Sequence, residues 1–177
     1  MEAERSGAVP DRSVRRARTG DGRDWLRLAV FLAACLGAGG LDASWSRDAL
    51  ASWYPTLRKP SWNPPNWVFG PVWTALYVSM AVAAWTVWRR RDRASVAIPL
   101  GLFGLQFLLN AVWSPLFFNL RSPGLAFVDI ALLWTVIVMT IGAFRRVSAA
   151  SALLLIPYLA WVTFALALNA AIWSLNR

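Results

Sequence analysis

Five long apolar stretches constrain this chain more than any other feature. They cover about residues 25–43, 67–88, 96–120, 125–144 and 152–175. A helix needs about 20 apolar residues to cross a hydrocarbon layer of roughly 30 Å, and every stretch reaches that length except the first, which is marginal. The composition agrees, since 58% of the residues are hydrophobic, 15% are charged and the mean hydropathy is +0.46. The sequence therefore predicts an all-α integral membrane protein, a bundle of five transmembrane helices.

The first stretch admits two interpretations. Residues 28–41 follow a basic flank, as the apolar part of a signal peptide does. A first transmembrane helix is favoured because the preceding segment is long and holds five acidic residues, and because four further spans follow. Residues 1–24 mix Arg, Gly, Asp and Ser without an apolar period, which predicts a disordered, Arg-rich cytoplasmic tail before a membrane domain over residues 25–177.

The excess of positive charge indicates orientation and not nucleic-acid binding. The chain has 18 Lys and Arg against 9 Asp and Glu, yet the tail is nearly neutral and the remaining cations lie beside the apolar stretches. Thirteen of the 18 flank the side of the N terminus and five the other side. Because cytoplasmic flanks are the basic ones, we expect a cytoplasmic N terminus, with the C terminus and the loop over residues 44–66 outside.

Few residues inside the spans can support acid–base or metal chemistry. The chain has no His and one Cys, which excludes a His/Cys metal site, so we expect no metal and no required cofactor. Asp129 is the one ionisable group inside a predicted span, and we interpret it as an acid in the first turn of its helix, near the interface. Pro71 and Pro115 are deep enough to bend their helices and open a cavity.

The chain contains 12 Trp, a large excess of a bulky amphipathic side chain. Some lie at span ends, where indoles anchor at the interface. Three spans carry a Trp away from the ends on one helical face; these faces are Trp73 with Tyr77, Trp113 with Asn110 and Phe117, and Trp161 with Ala165 and Leu168. The residues alone leave two interpretations equally open, namely core filler or the wall of a pocket for a large, flat, apolar ligand.

Three blocks of the sequence are more specific. Residues 53–77 read WYPTLRKPSWNPPNWVFGPVWTALY, residues 109–118 read LNAVWSPLFF, and residues 157–161 read PYLAW, followed by Phe164, Ala165, Leu168 and Asn169. They resemble the signature of the TspO/MBR family, the tryptophan-rich sensory proteins whose mitochondrial members are called translocator protein or peripheral benzodiazepine receptor. The resemblance covers about residues 26–177.

This resemblance implies a five-helix bundle, commonly a homodimer, with a ligand cavity under the first loop, which acts as its lid. Family members bind porphyrins such as protoporphyrin IX, and some bacterial members are reported to degrade it in a light- and oxygen-dependent reaction. By motif position, Trp73 and Trp161 are similar to the paired tryptophans implicated in that chemistry. Further cavity or lid positions are Trp53, Trp62, Trp67, Trp113, Ala165 and Leu168.

Two cations in the lid have two interpretations. Arg58 and Lys59 could serve the propionates at the edge of a porphyrin, or they are ordinary flank charges. The cholesterol pattern of mitochondrial members is incomplete here, because Ala170 and Ser174 replace its Tyr and Arg. A formal match at Leu50, Tyr54 and Arg58 falls in the predicted loop. The Arg-rich tail and the inverted charge bias favour a protein of the bacterial inner membrane over a mitochondrial one.

Several functions remain open from the sequence. We favour a membrane protein that binds a tetrapyrrole and acts as a sensor, regulator or transporter, because the chain supplies no conventional catalytic set. The alternative is a porphyrin-degrading enzyme with Trp73 and Trp161 at its centre. A sterol or lipid translocator and a structural scaffold without a ligand are further alternatives.

Overall fold

The computed structural model describes the backbone of residues 12–177 and the side chains of residues 22–177. In this part of the chain the α-helices are α1 Arg12–Ser52, α2 Phe69–Trp88, α3 Ala97–Ser114, α4 Pro123–Val147, α5 Ala149–Leu154 and α6 Ile156–Leu175. A π-helical turn, Pro115–Asn119, extends α3, and α5 with α6 forms one span. Five helical segments are long and apolar enough to cross a membrane, which confirms the predicted membrane protein.

The first helix is longer than predicted at both ends. Residues 12–24 are helical and not disordered, because the apolar segment has already nucleated the helix and five Arg extend it despite Gly20 and Gly22. Residues 1–11 of the predicted tail lie outside the described residues. At the other end α1 continues through residues 44–52, which the sequence analysis assigned to the loop. The helix ends only before Pro55, which cannot continue it.

Serine side chains explain why α1 tolerates this polar end. The hydroxyls of Ser44, Ser46 and Ser52 donate to carbonyls three or four residues earlier, so their polar atoms are satisfied within the helix. The connection to α2 is correspondingly short and contains two 3₁₀ turns, Tyr54–Thr56 and Asn66–Val68. Asp42, which the predicted range 25–43 contained next to its end, lies well inside α1, and the expectation that Asp129 is the one ionisable group within a span is wrong.

The other spans begin and end within three residues of the predicted bounds. Pro71 lies in the first turn of α2, where no N–H partner is needed, so it does not bend the helix as predicted. Pro115 begins the π-helical turn, and Pro157 follows the break between α5 and α6 at Leu155. The Ser79 hydroxyl donates to the Leu154 carbonyl at that break (2.6 Å).

The tightest packing lies toward the C-terminal half of α2. Met80, Ala81, Ala84 and Val87 are fully buried, together with Ile137 and other residues of the neighbouring helices. Small side chains let helix backbones approach closely, which is how helices associate in lipid. The opposite end of the bundle, under the loop between α1 and α2, is less tightly filled.

Candidate ligand cavity

A cavity of about 590 Å³ lies between the helices below the loop that joins α1 and α2. Its volume falls within the roughly 300–1,000 Å³ that is typical of small-molecule sites. α1, α2, α3, α4 and α6 all contribute to its wall. Eight aromatic rings line it, namely Tyr54, Phe69, Trp73, Tyr77, Trp113, Phe117, Phe118 and Trp161.

Seven of the predicted ligand-binding residues line this cavity. The structure brings the three Trp-bearing helix faces around one space, and the residues concerned are Trp73, Tyr77, Asn110, Trp113, Trp161, Ala165 and Leu168. Each face was predicted from helical spacing within one span. Their meeting depends on how the spans pack, which only the structure reports.

Neighbouring rings hold the cavity tryptophans in place. Trp73 lies 5.4 Å from Tyr77 with 30° between the planes, and Trp113 stacks on Phe117 at 5.0 Å and 21°. The Trp161 ring lies 5.4 Å from Phe164. Offset and edge contacts at these separations are favourable for aromatic rings. The cavity therefore presents three fixed indoles to a ligand.

Hydrogen bonds between helices use up the polar groups beside these rings. The Tyr77 hydroxyl donates to Asn110 Oδ1 (2.9 Å), and Asn110 Nδ2 donates to the Tyr158 hydroxyl (3.2 Å). On the other side, Trp113 Nε1 donates to Asn169 Oδ1 (3.1 Å), and Asn169 Nδ2 donates to the Pro123 carbonyl (2.8 Å). Asn110 and Asn169 thus link α3 to neighbouring helices.

Three predicted cavity or lid tryptophans do not line the cavity. Trp53 packs edge-on against Phe117 (5.7 Å), behind the wall. Trp62 contacts the ring of Phe164 (5.7 Å) from outside and is half exposed. Trp67 is 75% exposed, because the 3₁₀ turn over Asn66–Val68 directs Asn66 and not Trp67 to the cavity.

The two predicted edge cations also lie outside the lining. Lys59 Nζ donates to the carbonyls of Leu57 (2.9 Å) and Pro55 (3.4 Å), and it lies 4.8 Å from the centre of the Tyr54 ring. Arg58 is exposed, and its backbone is paired with the end of α6. Lys59 therefore stands behind a ring of the cavity wall, whereas Arg58 fastens the loop.

We call residues 53–65 the lid. Within it the buried Tyr54 hydroxyl donates to Asn63 Oδ1 (2.9 Å). Burial raises the pKa of Tyr54 above its ordinary value of 10, despite the opposing effect of this hydrogen bond, so the phenol keeps its proton at neutral pH. At the other end, Asn176 Oδ1 accepts from the Arg58 N–H and Asn176 Nδ2 donates to the Arg58 carbonyl, both at 2.9 Å.

Sequence reasoning missed a strip of cavity-lining residues on α1. Asp42, Ser46 and Leu50 recur every fourth residue on this helix, and Tyr54 in the following 3₁₀ turn continues the spacing. The signal that was missed is that no helix breaker precedes Pro55. Taking it into account extends the first span beyond residue 43 and shows the four-residue spacing that begins at Asp42. Ser114, next to Trp113, was missed as well, and its hydroxyl donates to Asp42 Oδ2 (2.8 Å).

Asp129 does not occupy the position that the sequence indicated. It is the seventh residue of α4, in the second turn, and it is buried. The interpretation as a first-turn acid near the interface is therefore wrong, because α4 begins at Pro123. Within residues 22–177, no three His, Cys, Asp or Glu side chains come together to hold a metal ion.

Comparison with known proteins identifies relatives along most of the chain. Residues 29–174 match the sequence model of the TspO/MBR family. The tryptophan-rich protein TspO of Chlorobaculum tepidum is 44% identical over 155 residues, which are 85% of this chain and 96% of that protein. The translocator protein of Ovis aries is 38% identical over 86% of this chain and 92% of its own length. Protein CrtK of Rhodobacter capsulatus is 38% identical over 84% of this chain and 91% of its own length.

Proposed function

This chain belongs to the TspO/MBR family of membrane sensory and translocator proteins, and from that premise we propose that it binds a tetrapyrrole of the protoporphyrin IX type. The bound porphyrin would be sensed or handed on, without a required cofactor. The protein then acts through occupancy of its cavity, as a regulator or transporter in the membrane.

One observation carries this proposal, namely that three helices each contribute an indole to one cavity. Trp73, Trp113 and Trp161 line it together with Tyr77 and Phe117. A porphyrin is large, planar and mostly apolar, so aromatic faces are the surfaces that bind it best. Its propionates need water or cations, so we expect them at the exposed lid side of the cavity.

Fluorescence titration in lipid nanodiscs tests this proposal. Protoporphyrin IX is expected to quench the Trp emission of the wild type in a saturable way. Trp73→Phe and Trp161→Phe each shrink a wall ring, and we expect affinity to fall about three- to tenfold in each. Trp45→Phe is the matched control, because Trp45 lies exposed on α1 outside the lining. Absence of quenching in the wild type, or unchanged affinity in both cavity variants, would reject the assignment.

A second candidate is light- and oxygen-dependent breakdown of the bound porphyrin. The presence of both Trp73 and Trp161 in the lining favours it, because both indoles would then meet the same ligand. Illuminating the complex in air distinguishes the two functions. If the protein is an enzyme, the Soret band of the bound porphyrin fades faster than that of free porphyrin in empty nanodiscs, and Trp73→Phe or Trp161→Phe slows the fading. If the protein only binds porphyrin, the band fades no faster than in empty nanodiscs.

The orientation belongs to the same proposal. We place the N terminus in the cytoplasm of a bacterium, with the protein in its inner membrane and the lid outside. The distribution of Lys and Arg supports this, since 13 of the 18 flank the side of the N terminus and five flank the other side. A C-terminal alkaline phosphatase fusion should be active; activity of a cytoplasmic reporter at that position would contradict the orientation.

Homodimer formation completes the proposal, because the family resemblance implies it. Native mass spectrometry of the protein released from nanodiscs is expected to give the mass of two chains. A monomer at every protein concentration would reject the dimer. It would not bear on porphyrin binding, which the fluorescence titration tests separately.

A further inference from the structure

Asp42 places a carboxyl group deep inside the bundle. It lies ten residues before the end of α1 at Ser52, which is about 15 Å of helix below the lid. An ionisable side chain at this depth is costly unless it has a partner, so its presence points to a function. Asp42 lines the cavity, and so do Ser46 one turn further along α1 and Ser114 on α3.

The carboxyl group has half of its hydrogen bonding unmet. Oδ2 accepts from the Ser114 hydroxyl at 2.8 Å, whereas Oδ1 is buried without a partner among the described residues. A buried acceptor without a donor costs roughly 1–3 kcal/mol. The torsion about the last side-chain bond of Asp is broad, so a modest rotation can turn an oxygen toward the cavity that Asp42 lines.

No donor of the described cavity wall reaches this acceptor. Two polar side chains of the wall donate elsewhere, Tyr77 to Asn110 and Trp113 to Asn169. None of the described lining residues is Lys or Arg, so the described wall supplies no cation either. A donor on a molecule that fills the space would satisfy this acceptor.

We propose that Asp42 is the buried polar anchor of the cavity and that it selects flat, apolar ligands that carry a protonated amine. The ring would lie among Trp73, Trp113 and Trp161, and the ammonium would donate to Asp42. This inference rests on the proposed use of the cavity for flat apolar ligands, and it extends that use from porphyrins to aromatic amines. For a porphyrin the same charge repels propionates from the α1–α3 side and turns them to the lid.

Two pyrene ligands of nearly equal size test the proposal. 1-Pyrenemethylamine carries the ammonium, and 1-methylpyrene lacks any donor. Both accept excitation from Trp, so their dissociation constants follow from quenching in phosphatidylcholine nanodiscs. The quantity of interest is the ratio of the two constants, because partition into lipid cancels when variants are compared in the same nanodisc.

Asp42→Asn keeps an acceptor for Ser114 and removes the charge. We expect the preference for the amine to fall about tenfold or more, as the loss of a charge-assisted hydrogen bond predicts. Asp48→Asn is the matched control, since Asp48 is exposed on the same helix, and it should leave the ratio unchanged. An unchanged ratio in Asp42→Asn overturns the proposal.

Ser114→Ala separates a ligand anchor from a purely structural contact. If Asp42 served only to join α1 to α3, removing the Ser114 hydroxyl would alter the ratio as Asp42→Asn does, and that result overturns the proposal. As an anchor, Asp42 is freed by the loss of Ser114, so the amine preference should stay or rise. Thermal unfolding of each variant confirms that it is folded.

Porphyrin and pyrene titrations of the same nanodisc preparation distinguish porphyrin binding from the Asp42 anchor. If protoporphyrin IX fails to quench while the pyrene ratio responds to Asp42→Asn, porphyrin binding is rejected and the anchor stands. If porphyrin binds and the ratio does not respond, the anchor alone is rejected. If neither pyrene quenches the wild type, the cavity does not take flat ligands and the anchor is rejected with it.

Discussion

At Gly39 the backbone of α1 meets the ring of Tyr77 on α2. A Cβ at this position would lie 2.5 Å from Cε2 and 2.8 Å from Cδ2 of that ring. Tyr77 is buried and its hydroxyl is bound to Asn110, so the ring has little freedom to move away. The absence of a side chain at residue 39 is therefore what allows Tyr77 to form part of the cavity wall.

We predict that Gly39→Ala destabilises the protein. The added methyl overpacks the contact, and overpacking of this kind costs about 1–3 kcal/mol. Gly37→Ala is the control, because a Cβ there meets nothing within 4 Å and should gain up to about 1 kcal/mol of helix propensity. The midpoint of thermal unfolding in nanodiscs measures both effects, and equal midpoints for the two variants would contradict the close approach.

Residue identities explain which parts of the site were predictable. The indoles of Trp73, Trp113 and Trp161 could be found because helical spacing within one span is a local property. Asp42 could not, because its role depends on α1 continuing past residue 43 and on α3 approaching it with Ser114. Contacts between spans depend on packing, which no single apolar stretch encodes.

Among the elements, the lid is held at two points. A hydrogen bond between Tyr54 and Asn63 fastens it internally, and the side-chain amide of Asn176 bonds to both the N–H and the carbonyl of Arg58. The sequence analysis placed the lid over residues 44–66, so its first part was assigned to a loop that is helical. The length of α1 was misjudged because hydropathy falls before the helix ends.

We predict that Asn176→Ala loosens the lid. Two hydrogen bonds to Arg58 are lost, at about 1 kcal/mol each, so the open lid should become roughly five- to thirtyfold more populated. Cleavage by trypsin after Arg58 reports the opening without any ligand. Ser174→Ala is the control, since Ser174 donates to the Ala171 carbonyl within α6. Equal cleavage rates in Asn176→Ala and wild type would show that the pairing does not hold the lid.

At the scale of the whole molecule, the tightly packed core and the cavity lie in different parts of the bundle. The tightly packed part contains Ile137 of α4, which is fully buried and outside the cavity lining. Two turns earlier on the same helix, Ile130 is also buried but lines the cavity. The five-span architecture itself was predictable from hydropathy, whereas this division follows from packing alone.

We predict that alanine substitutions at these two isoleucines have different effects on stability and on ligand affinity. Ile137→Ala creates a new void and should lower the free energy of unfolding by about 2–5 kcal/mol, with affinity for protoporphyrin IX unchanged. Ile130→Ala enlarges a space that already exists, so it should cost less stability but weaken binding. Unfolding midpoints and quenching titrations of both variants test this, and identical behaviour would argue against the division.

The pairing of Asn176 with Arg58 also orders events during synthesis. The lid follows the first helix, but its fastening residue lies at the end of α6, so the ribosome produces the two more than 100 residues apart. Until the last helix has entered the membrane, a nascent bundle has nothing at that position to hold the lid. The cavity therefore stays open until α6 is in place, so a small molecule in the membrane can enter it before the lid is fastened.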